Sequence, residues 1–352
     1  MNALRMKPKL LSLGYAVPGN SYTQNEIFDA LKYPGVFMRL FRLSKIEKRH
    51  FWVPLNRITK LSWQEQEEQY IDGAIRLSRQ AIESCLDSRG LDDIGCLVFC
   101  SCTGFCPGPT VGHHIAKELD LPQDVYHTNI ASMGCEGGFP GLKRAYDFTL
   151  ANRKQAIVIA CELSSCSYFP EPDGRPDPEN HYELARSNAL FADAASCALV
   201  GFDSDSRHPH IIDTETYTDT SYINDLGYVW RDGRLRVLLS KRVPGIASEL
   251  ASIVVPNLLK RHQLKAGNID YWVIHAAGSS VLDNVRDALG LPDSKLSWSR
   301  EALKRYGNVS SATVGIIGKL LMENIEPLSG ETMVMISLGP GMTCGATIMQ
   351  WP

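Results

Sequence analysis

Cys135 lies in Ser132-Met133-Gly134-Cys135-Glu136-Gly137-Gly138-Phe139-Pro140-Gly141-Leu142, with glycine at 134, 137, 138 and 141. Those glycines let the chain turn sharply and bring backbone close to a ligand. The stretch runs into Leu142-Lys143-Arg144-Ala145-Tyr146-Asp147-Phe148, which reads as the start of a helix, and Pro140 suits its first turn. A thiol at a helix N-terminus sits in positive potential, which favours thiolate, the form that attacks a carbonyl carbon. The plain alternative is a small buried apolar residue, and this is one of ten cysteines.

Two further polar residues share that setting. His275 ends the apolar run Tyr271-Trp272-Val273-Ile274, and Asn308 precedes a helical pattern in Gly307-Asn308-Val309-Ser310-Ser311. In α/β sheets, ligands gather beyond the carboxyl ends of strands. Cysteine, histidine and asparagine together form a nucleophilic arrangement. Singly, His275 also reads as a satisfied core histidine and Asn308 as an N-cap.

The elements that must position them alternate. Residues 8–16, 94–100, 156–161, 211–217, 271–274, 332–337 and 344–350 read as strands, several apolar enough to be buried on both faces. Helices are expected from Thr23 to Leu31, with Glu26 completing a capping box, and over 62–86, 110–119, 247–261, 281–289 and 311–324. In the 62–86 helix, Trp63, Tyr70, Ile71, Ala74, Ile75, Ser78 and Ile82 recur at helical steps and read as core. Residues 169–188, rich in proline, read as an excursion loop. The alternation argues an α/β fold with a largely parallel sheet. Both halves end apolar strands in a reactive residue or a glycine-rich turn. Two similar lobes are therefore expected, residues 1–205 carrying the cysteine and 206–352 carrying the histidine and asparagine.

Composition narrows the class. With 352 residues, 44% hydrophobic and 21% charged, the chain is ordinary globular protein, long enough for two core-bearing units. A net charge of −3 carries no nucleic-acid signature. The basic run over 36–50 reads equally as a solvated face or a phosphate site. Cys100, Cys102 and Cys106 lie close together, but no second Cys/His pair has zinc-like spacing, so no metal is expected. The cysteines lack disulfide-scaffold spacing, and no apolar run approaches a membrane span or a secretory core. A soluble cytoplasmic protein is the expectation.

Taken together, Thr103-Gly104, Cys106-Pro107-Gly108, Met133-Gly134-Cys135, Ala189-Leu190-Phe191, Leu239-Ser240-Lys241 with Val243-Pro244, His275 with Leu282-Asp283, Gly307 to Thr313, and Leu338-Gly339-Pro340-Gly341-Met342-Thr343 fall in one order. That order resembles the thiolase-like condensing enzymes, and within them the type III polyketide synthases (the chalcone and stilbene synthase family). The resemblance runs from about residue 9 to the C-terminus. It implies a thiolase-like αβαβα layered fold of two lobes and an acyltransferase that performs decarboxylative Claisen condensation. Cys135 would accept the acyl group. His275 and Asn308 would bind the malonyl thioester carbonyl and stabilise the enolate, and His275 would hold the Cys135 thiolate as an ion pair. Gly339, Pro340 and Gly341 would line the cavity, Phe191 would be a gatekeeper, and Cys102, Ser164 and Ser167 would shape the cavity. Arg39 would meet coenzyme A phosphate.

The resemblance further implies acyl-CoA and malonyl-CoA as substrates, no cofactor, and a homodimer in which Cys106 reaches the partner's cavity. Departures are Val237 for a second gatekeeper phenylalanine, Val36 and Leu43 for two basic residues, Ser337-Leu338 before the loop, and a longer 169–188 segment. The lost basic residues leave an acyl carrier protein as an alternative carrier. A single-round β-ketoacyl synthase III-like enzyme is the competing reading.

Overall fold

The computed structural model describes residues 7–352 except 88, 105, 107, 168–177, 206 and 232–233. Thirteen strands occur among the described residues: β1 (Lys9–Ala16), β2 (Ser21–Thr23), β3 (Lys48–His50), β4 (Ile94–Ser101), β5 (Tyr126–Ala131), β6 (Gln155–Leu163), β7 (Asp193–Gly201), β8 (His210–Thr218), β9 (Leu226–Arg231), β10 (Arg234–Leu239), β11 (Tyr271–Ile274), β12 (Thr332–Gly339) and β13 (Thr343–Gln350). Nine of them join in the order β11-β12-β13-β8-β1-β7-β6-β4-β5, while β9 pairs with β10 and β2 with β3.

The sheet is mixed, against the expectation of a largely parallel one. Only β4 with β5, β4 with β6, and β11 with β12 run parallel; the other pairings of the large sheet are antiparallel. The link from Gly339 to Thr343 shows the reason. A turn that short can join only antiparallel neighbours, whereas a parallel partner needs a crossover of a dozen residues.

The thiolase-like layering follows from which faces the helices cover. Strands β1, β7 and β6 carry the Trp63–Leu86 helix on one side; β13 and β8 carry the Val243–Arg261 helix. Between the two halves lie the Gly138–Asn152 and Thr313–Met322 helices, which touch strands of both. Small residues permit this closeness. A Cβ on Gly345 would stand 2.5 Å from the Phe139 ring, and one on Gly318 would stand 2.7 Å from Leu13 and 3.3 Å from Met335. The two halves of the sheet meet at the β1–β8 pairing of Lys9 with His210.

Local signals hold where they were legible. Thr23 and Ser62 cap their helices in reciprocal boxes with Glu26 and Glu65. Trp63, expected in the core, is instead 50% exposed, because it is the first residue of its helix. Residues 178–188, expected as part of a loop, form the Pro178–Asn188 helix; residues 169–177 of that expectation lie outside the described residues. No helix among the described residues is long and apolar enough to cross a membrane.

Candidate active site

Cys135 sits in a single 3-10 turn, Gly134–Glu136, between the end of β5 and the Gly138–Asn152 helix. Two glycines make the turn possible. Gly134 has φ +58°, and a Cβ there would meet Pro340 Cδ at 2.3 Å and Tyr228 Oη at 2.9 Å. Opposite, a Cβ on Gly339 would stand 2.6 Å from Glu136 Cβ and 3.0 Å from Met133 O. Gly339 and Pro340 therefore lie directly against the Cys135 turn.

His275 follows β11, its N–H donating to Ile336 O at 2.9 Å. The side chain is fully buried, and neither ring nitrogen has a hydrogen-bond partner. Asn308 is placed by backbone pairing with the Leu190–Ala192 segment: its N–H donates to Leu190 O at 2.9 Å, and Ala192 N–H donates to Asn308 O at 2.9 Å. Its carboxamide Oδ1 accepts from Ser310 N at 2.9 Å, and Nδ2 donates to Ala277 O at 3.3 Å.

Cys135, His275, Asn308, Phe191 and Gly339 line one cavity of about 280 Å³. Leu40, Leu43, Lys241 and Ser279 line it as well. Its lining is mainly apolar, as a water-poor binding site requires. The Cys135 thiol hydrogen-bonds to the side chains of Ser310 and Asn308, which favour the thiolate, but burial outweighs them and pushes it up to about 12. Burial alone pulls the His275 imidazolium down to about 4. Burial thus acts against the ion pair expected from the sequence: each group taken singly is held neutral.

A second cavity, of about 160 Å³, is lined by Cys102, Ser167, Thr103, Ser132, Tyr228 and Trp63 among others. Cys102 Sγ lies 3.1 Å from Tyr228 Oη and 3.4 Å from Ser310 Oγ. Beneath it is Glu162, fully buried on β6, accepting from Cys102 N at 3.0 Å and from the Ser311 hydroxyl. Burial raises its carboxyl above the usual range, opposed by the hydrogen bonds from Ser311 and Cys102. Ser167 donates to Thr103 O at 2.7 Å.

The other expected positions divide. Arg39 is exposed on the Met38–Leu43 helix, whose Leu40 and Leu43 line the first cavity, but it does not line that cavity itself. Ser164 is fully buried without a hydroxyl partner and lines neither cavity. Pro340 packs against Gly134 of the Cys135 turn; of Gly339, Pro340 and Gly341, Gly339 is the one that lines the cavity. Val237 is buried on β10 between Leu235, at the second cavity, and Leu239, at the first; it lines neither. Tyr228, Glu162 and Ser310 are site residues that sequence reasoning missed. A glutamate inside the apolar run 156–163 was the one available signal.

Such a cavity on a five-layered α/β scaffold defines a condensing enzyme of the thiolase-like class. Residues 53–204 match the chalcone and stilbene synthases, N-terminal domain, and residues 259–351 match the 3-oxoacyl-(acyl-carrier-protein, ACP) synthase III C terminal domain. The chain is 29% identical over 358 residues to the 1,3,6,8-tetrahydroxynaphthalene synthase of Streptomyces peucetius subsp. caesius, covering 96% of this chain and 91% of the relative. It is 27% identical over 361 residues to the 3,5-dihydroxyphenylacetyl-CoA synthase of Amycolatopsis orientalis, covering 100% and 95%. The solved 1,3,6,8-tetrahydroxynaphthalene synthase of Streptomyces coelicolor superimposes with a TM-score of 0.88 at 23% identity, covering 97% of this chain and 99% of that one. The chain is thus similar over nearly its whole length to the type III polyketide synthases, the family of the chalcone and stilbene synthases, and is an acyltransferase of that condensing kind.

Proposed function

We propose that Cys135 accepts the acyl starter, and that His275 and Asn308 bind the malonyl thioester carbonyl and hold the enolate formed when carbon dioxide leaves. The observation that carries this reading is the shared cavity, in which a buried thiol, an imidazole with both nitrogens unpartnered and a carboxamide face one apolar space. A neutral imidazole and a carboxamide N–H offer donors where charge develops, and in a dry site such donors act strongly. The enolate carbon then attacks the acyl-Cys135 carbonyl; the thiolate leaves the tetrahedral intermediate, and the extended chain passes back to Cys135 for the next round. Coenzyme A is the proposed carrier. Lys241 at the cavity supports it, while Val36, 65% exposed, and Leu43, 52% exposed, stand where the resemblance expects cations.

Cys135→Ala is expected to abolish condensation yet still decarboxylate malonyl-CoA, whereas His275→Ala loses both. Full decarboxylation by Asn308→Ala would overturn its role. Incubation with malonyl-CoA and a panel of starter thioesters, read by mass spectrometry, identifies the product. Equal turnover from an acyl carrier protein would displace coenzyme A as the carrier.

The same reading divides the chain at 205/206 and makes it a homodimer. Strand β5 supports the dimer, since it ends the large sheet with much of its length exposed. Sedimentation at the mass of one chain would refute it.

A further inference from the structure

The segment that carries Phe191 and pairs with Asn308 is held from behind by residues of the N-terminal basic run. Arg49 is fully buried on β3. Its Nη1 donates to Phe191 O at 2.7 Å. Its guanidinium lies over the Phe51 ring at 5.3 Å and the Phe41 ring at 6.0 Å. Its aliphatic stem fills the space beside Gly307, where a Cβ would stand 2.9 Å from Arg49 Cγ and Cδ and 2.9 Å from Leu190 O. Gly307, at φ +74°, immediately precedes Asn308. Gln24 acts in parallel from its own helix, donating to Ala189 O at 2.8 Å and to Ser44 Oγ at 2.8 Å.

A buried cation is costly, and burying it for packing alone is poor design when an apolar residue would fill the space. Here the Asp193 carboxylate offsets part of that cost, and the guanidinium donates to a carbonyl that belongs to the residue bridged to Asn308. The contact fixes the rotation of the 190–192 peptides, on which both backbone bonds to Asn308 depend. Small displacements of a donor are expensive in rate, because alignment with developing charge is what the donor contributes.

We infer that Arg49 is a positioning residue for the condensation, one that sets the Phe191–Asn308 bridge and so aims the Asn308 carboxamide at the malonyl carbonyl. The inference rests on the role proposed for Asn308. It reaches the reaction through backbone geometry alone: Arg49 lines neither cavity.

The test compares Arg49→Met and Arg49→Lys with the unaltered protein in three readouts: malonyl-CoA decarboxylation, acylation of Cys135 by a starter-CoA followed by mass spectrometry, and amide hydrogen exchange. In Arg49→Met, decarboxylation is expected to fall by about tenfold to a hundredfold in kcat with KM little changed. Acylation of Cys135 stays within about twofold, since it does not call on the malonyl-binding donors. Exchange protection falls at the Ala192 and Asn308 amides and stays unchanged in the core strands β6 and β7. Arg49→Lys, which retains a donor, recovers part of the decarboxylation. Two results overturn the inference: full decarboxylation in Arg49→Met, or a parallel fall of acylation and decarboxylation with protection lost throughout the chain. Should the unaltered protein not decarboxylate malonyl-CoA, the role of Asn308 fails instead. Exchange at the two amides then decides whether Arg49 sets the bridge, and unchanged protection overturns it.

Discussion

Replacing His275 by alanine isolates what the imidazole does for the nucleophile. Burial, only partly opposed by Ser310 and Asn308, places the Cys135 thiol at about 12, against 9.0 for a free thiol. At pH 8 a free thiol is about one-tenth ionised, whereas a thiol at about 12 is ionised to about one part in ten thousand, roughly a thousandfold less. On the proposed reading the His275 imidazole, which lines the same cavity, accepts the thiol proton. The imidazolium so formed compensates the buried thiolate. His275→Ala removes acceptor and compensating charge together, leaving only the weak help of Ser310 and Asn308.

The assay is alkylation by iodoacetamide, followed by mass spectrometry of the peptide that contains Cys135, across the range from weakly acidic to alkaline pH. The unaltered protein is expected to react in the neutral range with a rate that levels off. His275→Ala should react at least about a hundredfold more slowly at pH 7, its rate climbing about tenfold per pH unit without levelling below about pH 10. Superimposable pH profiles for the two proteins would refute the reasoning, because the thiolate would then owe nothing to the imidazole.

Other consequences are independent of that one. Gly307→Ala places a Cβ against Arg49 and Leu190 O at φ +74°, and should destabilise the protein by about 1–3 kcal/mol in urea unfolding while lowering decarboxylation through Asn308. Ser62→Ala removes one side of a capping box on the longest helix and should cost about 1 kcal/mol with activity unchanged. Glu136 is buried beside the nucleophile with Oε2 unpartnered, and burial raises its carboxyl from 4.5 to about 7. The unfolded chain therefore loses this proton first. The contribution to stability is full below about pH 4.5 and is lost as pH rises to about 7, by up to roughly 3 kcal/mol. Glu136→Gln should remove that slope; a stability difference from the unaltered protein that stays constant between pH 4 and pH 8 would refute it.

Much of the site was legible because its cues are local. The glycines around Cys135 announce a tight turn, the apolar run before His275 announces a strand end, and the order of motifs names the family. Other positions that the resemblance names take their setting from the packed structure: Arg39 is exposed beside the cavity, and Pro340 packs against Gly134. Val237 illustrates the limit of motif matching: its neighbours on β10 reach the two cavities and it reaches neither.

The sequence by itself determined most of the elements and their caps, since helix periodicity, capping boxes and glycine turns act within a few residues along the chain. Tertiary structure decided the mixed strand directions, the meeting of Glu162 with Cys102 and Ser311, and the burial of Arg49 behind Phe191. It also decided protonation. Desolvation depends on every element packed around a group, so the buried thiol, imidazole and carboxyls take their character from residues far away in the chain.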